Sequence, residues 1–550
     1  MKKLLAMSIT LALVASMFSA CGDNAANSSQ GSSSPSGSSS GGSSSQAASS
    51  GTEAVGITYP LEGKPKLSIV TTQSTYVLNS YTAWQDTPFI EAWAEQTGVD
   101  LEASFVSDFS VYLASGDYAD IINYSWNNYS GGLSKAIDDG IIIDIADYVE
   151  KFAPDYWKVM NEIPQRKKNI TTPSGEIPGF SGFYKMGPDT SPAMYGCFIR
   201  GDWLDDLSLE VPKTPDQLVN VLKAFRDEKG AAVPMTLTLL DLGLLGSQGM
   251  FTSPFGLVNT DYYQVEGKIH FGAYEESYKD YITFLNRLYA EELIDKNVLT
   301  VDWNTTQANM LNGVSGIGAG FATGEMKNLV LQATSSDPGY NLVGMGSLVQ
   351  SEGDRAMFHW FTGYASGACS AITTSCKDVE TAVKFLNYGY TEAGQRLMCY
   401  GVEGITFNMI DGAPYYTDYV KNNPDGLNFN QALSPYAFHP AGGPYVADDG
   451  YLKQVASDAQ LSAKKLWADT DAEKYYVPTS RISVADKYLS DYTAIKSEID
   501  TCVSEYFAKF VTGEYPIEEK WDEYISTLKS MGIDTMIQYY QEAYDVYQSW

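Results

Sequence analysis

Short apolar runs alternate along the chain with stretches in which apolar residues recur every three to four positions, and this double rhythm begins near Pro60. Leu67-Ser-Ile-Val-Thr71 predicts a buried strand. A polar, aromatic stretch follows, and then Phe89, Ile90, Trp93 and Ala94 share one face of a helix starting near Pro88. Val99–Phe105 predicts a second strand and Asp120-Ile-Ile-Asn123 a third. Strands alternating with helices point to parallel βαβ units and an α/β fold. Thr214-Pro-Asp-Gln217 carries helix-start chemistry: a Thr cap, Pro at the first helical position and Gln placed to close a capping box. Leu218, Val221, Leu222 and Phe225 then repeat at helical spacing. Toward the C-terminus Leu489, Tyr492, Ile495, Ile499, Val503, Tyr506 and Phe510 form one apolar stripe. A second helical stretch starts near Glu518, and a third follows Met531-Gly532. No internal repeat appears at solenoid periods.

The N-terminus departs from this rhythm. Lys2 and Lys3 precede an apolar run, Leu4–Phe18, that is shorter than the ~20 residues a membrane span needs. Phe18-Ser-Ala-Cys21 closes it and resembles the bacterial lipobox, in which the Cys is lipidated before cleavage; Phe18 stands where Leu is usual. Residues 1–20 are therefore expected to be a lipoprotein signal peptide and Cys21 the lipidation site. The alternative is an ordinary signal peptide with an incidental Cys. From Gly22 to about Gly51 the chain is almost only Ser, Gly, Ala, Asn and Gln, which cannot bury enough apolar surface to order itself and predicts a flexible tether through about residue 59.

Composition narrows the function. A length of 550 residues suits two or more domains, because single cores rarely grow past roughly 250–300 residues. The net charge of −31 argues against nucleic acid, whose phosphates need clustered Lys and Arg. Without Lys2 and Lys3 the chain holds 34 basic against 67 acidic residues, a net of −33 that repels an anionic bilayer and leaves the holding to the lipid. Three histidines leave little room for His-based catalysis or His-rich metal sites. The five cysteines beyond Cys21 include no C-x-x-C pair, so buried thiols are expected, with one disulfide as the alternative.

No H-E-x-x-H, P-loop or G-x-S-x-G motif is present. Gly316-Ile-Gly-Ala-Gly320 lacks Rossmann spacing, and close backbone packing explains it. Carboxylate pairs for glycoside hydrolysis remain an open alternative, though spacing singles out none. Aromatics near strand ends are more informative. Trp and Tyr planes cover the C–H face of a sugar ring, while Asn, Asp, Glu and Arg pair with its hydroxyls. Tyr124-Ser-Trp-Asn-Asn128 follows the third strand, at the carboxyl end where α/β sheets bind ligands. Trp126 and Asn127 are thus expected at a cleft, and Trp126→Ala is expected to abolish binding while sparing the fold; packing at the sheet edge is the alternative. Phe358-His-Trp-Phe361 enters a Gly/Ala/Ser-rich run in the same manner. For His359 a hydrogen-bonded, partly buried imidazole is the stronger reading, whereas for Trp360 packing and ligand contact stand level.

Several blocks resemble the extracellular solute-binding proteins of ABC importers, family 1, in the branch of the long LplA-type and alginate-oligosaccharide-binding lipoproteins. They are Leu113-Ala-Ser-Gly-Asp-Tyr-Ala-Asp-Ile-Ile122, Gly140–Val149 with Ala153-Pro-Asp155, Arg200-Gly-Asp-Trp-Leu-Asp205 with Leu209–Pro215, Tyr400-Gly-Val-Glu-Gly404, and the C-terminal Phe510–Gly513, Trp521–Tyr524 and Met531–Ile533. They follow the family's order from about Leu67 to Tyr547. The resemblance implies a two-lobe, periplasmic-binding-protein-like fold of type II. Its lobes would be discontinuous: 60–197 with 357–440, and 198–356 with 441–550, joined by a hinge.

It also implies a non-enzymatic, monomeric binding lipoprotein without cofactor, held on the outer side of a bacterial cell membrane. Such a protein hands an oligosaccharide to an importer's permease; a peptide or other solute as ligand, and a lipid-anchored carbohydrate-active enzyme, are the alternatives. The regions carried over as ligand-binding contain Trp84, Trp126, Asn127, Tyr195, Arg200, Phe321, His359 and Trp360. Two departures stand out. Phe225–Pro234 is too short and too poor in oxygen ligands for the calcium loop that long relatives carry, so no metal is expected there. Gly201 replaces a bulkier polar residue, which puts a direct contact from that position in doubt.

Overall fold

A computed structural model describes residues 56–550 apart from 173, 186–192, 247, 362, 439–442, 448–449, 451 and 550, so the expected signal peptide, tether and Cys21 lie outside the described residues. The first three expected strands form as β1 (Lys66–Thr72), β2 (Asp100–Val106) and β3 (Ile121–Tyr124). They join β4 (Phe180–Tyr184), β10 (Ala365–Ile372) and β13 (Val446–Ala447) in a six-stranded sheet of order β13-β4-β10-β3-β1-β2. All ladders are parallel except those of β10, which runs against β3 and β4. Parallel strands need crossovers, and the helices Pro88–Thr97 and Phe109–Ser115 supply the first two. Thr87 caps the former and Gly98, left-handed at φ 76°, ends it. A Cβ there would meet the backbone of Leu61 at 2.6 Å, so the turn excludes other residues. Asp120 ties its segment to the neighbouring strand, accepting from the Ser68 amide (2.8 Å) and hydroxyl (2.7 Å).

The second sheet has the order β8-β5-β9, with β5 (Tyr195–Arg200) central and antiparallel to both β8 (Ile317–Phe321) and β9 (Leu342–Met345). Two hairpins, β6/β7 (Tyr262–Val265 and Lys268–Phe271) and β11/β12 (Phe407–Ile410 and Ala413–Tyr416), complete the strands. The glycines of β8 and Gly316 just before it are there for contact. A Cβ on Gly316 would reach the Phe225 ring at 2.3 Å and one on Gly320 the Glu325 Cβ at 2.6 Å, as close packing requires. Gly201 begins the helix Gly201–Leu207, where a Cβ would meet Asn341 at 2.9 Å; the departure from a bulkier residue follows from lack of room.

Each sheet is covered on both faces. Trp84, Phe89, Trp93, Tyr156, Phe180 and Phe385 fill one side of the six-stranded sheet, and Val70, Phe109, Ile122 and Trp126 the other. Around the three-stranded sheet, Phe198, Met310, Leu329 and Trp467 form one layer. Ile199, Leu222 and Phe225 belong to the other, together with the C-terminal helices Asp486–Thr512, Ile517–Met531 and Ile533–Gln548. The expected stripe from Ile499 to Phe510 is buried there, whereas Leu489, Tyr492 and Ile495 are half-exposed. The capping box at Thr214 and Gln217 forms as expected. The architecture is therefore mixed α/β with two sheets, each carrying its own core. The boundary expected at 197/198 falls inside β5, all of whose residues belong to the second sheet, and β13 joins the first sheet beyond the boundary expected at 440. Among the described residues no helix is long and apolar enough to cross a membrane.

Candidate functional site

The chain passes between the two sheets in the segments linking β4 to β5 and β9 to β10. Three aromatic residues meet where these crossovers leave the second sheet. Tyr195 opens β5, Phe321 ends β8 as its register partner, and Trp360 lies on the approach to β10. Their rings pack edge to face, with centroids 5.1 Å apart for Tyr195 and Phe321, 5.9 Å for Tyr195 and Trp360, and 5.8 Å for Phe321 and Trp360. Edge-on rings share only their rims, so part of each face stays open; Phe321 is 40% exposed and the other two are half-buried.

Polar groups hold this cluster from behind. The Tyr195 hydroxyl donates to Asp241 Oδ1 at 2.6 Å, and Asp241 Oδ2 accepts from the Thr238 amide (2.9 Å) and hydroxyl (2.7 Å). Burial pushes the Asp241 carboxyl up from the usual carboxylate range, against these hydrogen bonds. The Tyr195 phenol is pushed up by burial and by the Asp241 charge, so it stays a donor. Beyond β8 a five-residue π-helical turn, Ala322–Met326, returns the Glu325 carboxylate to accept from the Phe321 amide at 2.8 Å.

Burial corrects four of the expected ligand-binding residues, none of which is more than 4% exposed: Trp84, Trp126, Arg200 and His359. A side chain sealed from water presents no surface to a solute. Trp84 stacks on Phe105 at 5.7 Å within the core of the first sheet. Trp126 donates its indole N–H to Cys369 O at 3.3 Å and packs beside Tyr124 and Tyr129, so the sheet-edge alternative is the one realised. Arg200 pairs with Asp202 and lies between the Trp203 and Tyr340 rings, 4.5 and 4.1 Å from their centroids. His359 donates through Nε2 to Tyr195 O (2.8 Å) and accepts at Nδ1 from Ser347 (2.8 Å), and burial pushes its imidazole down to about 4. It stacks on Trp467 and sets the strand approach that presents Trp360. Asn127 sits in a 3-10 turn, Trp126–Asn128, away from the aromatic cluster in sequence and sheet. Of the expected set, Tyr195, Phe321 and Trp360 come together.

The profile of the family described as bacterial extracellular solute-binding protein matches residues 80–396, more than half the chain. The chain belongs to this family. A curated relative of this solute-binding protein is the fructooligosaccharide ABC transporter substrate-binding protein FusA of Streptococcus pneumoniae. It is 24% identical over 520 residues, covering 90% of this chain and 93% of FusA. Lipoprotein LipO of Bacillus subtilis is 25% identical over 469 residues, covering 81% of this chain and 86% of LipO. Among solved structures, an HMO-binding, ABC-transporter-associated solute-binding protein of Bifidobacterium longum infantis superposes with a TM-score of 0.69 at 20% identity. That match covers 88% of this chain and 99% of the other. The fold is thus the two-lobe fold of periplasmic solute-binding proteins, and relatives of the chain are binding proteins of ABC transporters.

Sequence reading missed Asp241, Glu325 and Trp467, which shape the solute-binding protein's aromatic cluster. Asp241 is an acid within an apolar run, the one local sign of a buried hydrogen-bonded role. Trp467 donates from Nε1 to Cys197 O (3.2 Å) and Met345 O (3.0 Å), locking β5 to β9, and has no local signature. Cys197, Cys369, Cys376 and Cys502 are free thiols, and no group of three or more His, Cys, Asp or Glu among the described residues converges as a metal site.

Proposed function

We propose that the protein is the non-enzymatic substrate-binding lipoprotein of an ABC importer, capturing an oligosaccharide between its lobes and presenting it to the permease. The supporting observation is the Tyr195–Phe321–Trp360 cluster, which offers aromatic surface at strand ends beside the interlobe crossovers. Such planes suit the C–H faces of sugar rings, and the relatives named for fructooligosaccharide and HMO binding favour the same ligand class. In this reading the first lobe comprises about 60–185 and 364–447 and the second most of the remainder. Ligand touching both lobes then favours the closed arrangement. The lipobox-like Cys21 and the name of LipO support a lipid anchor facing the cell exterior, with the monomer as the working unit.

The reading is tested by calorimetry against a panel of fructo-, gluco- and galacto-oligosaccharides. At least one member is expected to bind, with no product released on long incubation; turnover would overturn the binding-protein assignment. Trp360→Ala is expected to weaken that ligand about 10- to 100-fold. Burying an aromatic face contributes roughly 1.5–3 kcal/mol, and each 1.4 kcal/mol is about tenfold. An unchanged affinity would remove Trp360 from the site.

A further inference from the structure

In the loop after β1 the expected ligand residue, Trp84, is buried, and the aromatics left at the surface are Tyr76, 36% exposed, and the half-buried Tyr81. Both follow the carboxyl end of β1, the edge at which α/β sheets take ligands. The short helix Thr75–Leu78, capped by Ser74, sets the turn, and the Tyr81 amide donates to Val77 O at 3.0 Å. β10 enters the sheet on this same edge, with Ala365 opposite Phe183 near the end of β4 and Cys369 opposite Tyr124 at the end of β3. Trp360 lies on the approach to β10, so the crossover that carries it reaches the first sheet on the edge where Tyr76 and Tyr81 stand.

Two further tyrosines join Tyr81 from a distant stretch of chain. Tyr419 belongs to the helix Asp418–Lys421, and Tyr436 follows the helix Phe429–Leu433. Their rings pack edge to face at 5.7 Å with the hydroxyls 3.4 Å apart, and the Tyr436 hydroxyl is also hydrogen-bonded to Tyr81. Burial first, and then these neighbouring phenols, push the Tyr436 hydroxyl up, so it stays protonated. Backbone contacts fix its place. Pro435 O accepts from the Phe89 amide at 3.1 Å, at the start of the helix Pro88–Thr97. Gly401, left-handed at φ 89°, makes room for Tyr436 O, which a Cβ there would meet at 2.9 Å.

Phenols that serve packing in this chain bond differently. Tyr156, Tyr281 and Tyr524 are sealed and donate to the main-chain carbonyls of Gly179, Leu242 and Ala273 at 2.8, 2.8 and 2.7 Å. Tyr81, Tyr419 and Tyr436 are half-buried and bond to one another. A phenol donates and accepts at once, so hydroxyls linked in this way can turn to the hydroxyls of a solute without leaving a buried group unpaired. We infer that Tyr81, Tyr419 and Tyr436 are the first lobe's half of the binding site. Their hydroxyls take the sugar hydroxyls at one end of the oligosaccharide, while the Tyr195–Phe321–Trp360 cluster of the second lobe covers C–H faces at the other. This role rests on the oligosaccharide reading and adds to it the contacts through which ligand holds the first lobe.

Calorimetry and thermal melts on the mature protein test the assignment, with whichever fructo-, gluco- or galacto-oligosaccharide of the panel binds the wild type most tightly. Tyr81→Phe, Tyr419→Phe and Tyr436→Phe each remove a hydroxyl and keep the ring, so the fold is retained. Tyr436→Phe, at the centre of the network, is expected to weaken that oligosaccharide about tenfold, the effect of losing one hydrogen bond to it, with an unchanged melting temperature in its absence. Tyr81→Phe/Tyr436→Phe is expected to weaken it further. Wild-type affinity in all three single variants, beside a loss in Trp360→Ala, overturns the role of the tyrosines and leaves the oligosaccharide reading standing. A lower melting temperature in Tyr436→Phe with wild-type affinity shows a packing role and overturns it equally. If no oligosaccharide of the panel binds the wild type, both readings fall together.

Discussion

The two tryptophans Trp126 and Trp360 occupy similar places in sequence, each beside a strand of the first sheet, yet do opposite work. Trp126 is sealed in the core and hydrogen-bonded to Cys369 O, so Trp126→Ala leaves a cavity and removes the indole donor. Its expected cost is about 3–5 kcal/mol, read in urea melts, with affinity falling only as the folded fraction falls. A stable variant that no longer binds would restore Trp126 to the ligand site. His359 makes a pH prediction. Its folded pKa of about 4 lies below the ~6.5 of an exposed imidazole, so the unfolded chain binds the proton more tightly. The stability contributed by its neutral form is present above pH ~6.5 and is lost as pH falls toward 4, by up to about 3 kcal/mol. The stability difference between wild type and His359→Gln should shrink over that interval; a constant difference from pH 7 to 4 would show that His359 does not titrate as described.

Elements were legible wherever local chemistry speaks for itself. The capping box at Thr214, the left-handed Gly98, Gly230 and Gly532 that end helices, and the apolar spacing of Leu218–Phe225 all act within one helical turn of the residues that encode them. Thr214→Ala is expected to cost about 1 kcal/mol without altering ligand affinity. A loss near zero would mean that the packing of its apolar face, Phe225 against Trp203 included, alone holds the helix. β8 shows the limit of such reading. The glycines at and just before it announced close packing, but the ring of Phe225 that comes against Gly316 is distant in sequence, and only the assembled sheet names it.

Across the whole molecule, the aromatic cluster stands on the second sheet, beside the crossovers that lead to the first. If oligosaccharide binding closes the lobes, small-angle scattering should record a smaller radius of gyration on adding the ligand found by calorimetry. An unchanged radius at saturation would argue against hinge closure. The large negative charge, which argues against nucleic acid, is a sum over the whole chain and does not set the sign at any one place on it.

The order of strands and helices, their caps and the family resemblance were present in the sequence because they depend on periodicity and on contacts within a few residues. Which aromatics pack and which face solvent was not, because burial is set by neighbours more than a hundred positions away. Cys369 covers Trp126, Trp467 covers His359, and Tyr340 covers Arg200. Tertiary structure alone brought Tyr195, Phe321 and Trp360 to one strand edge.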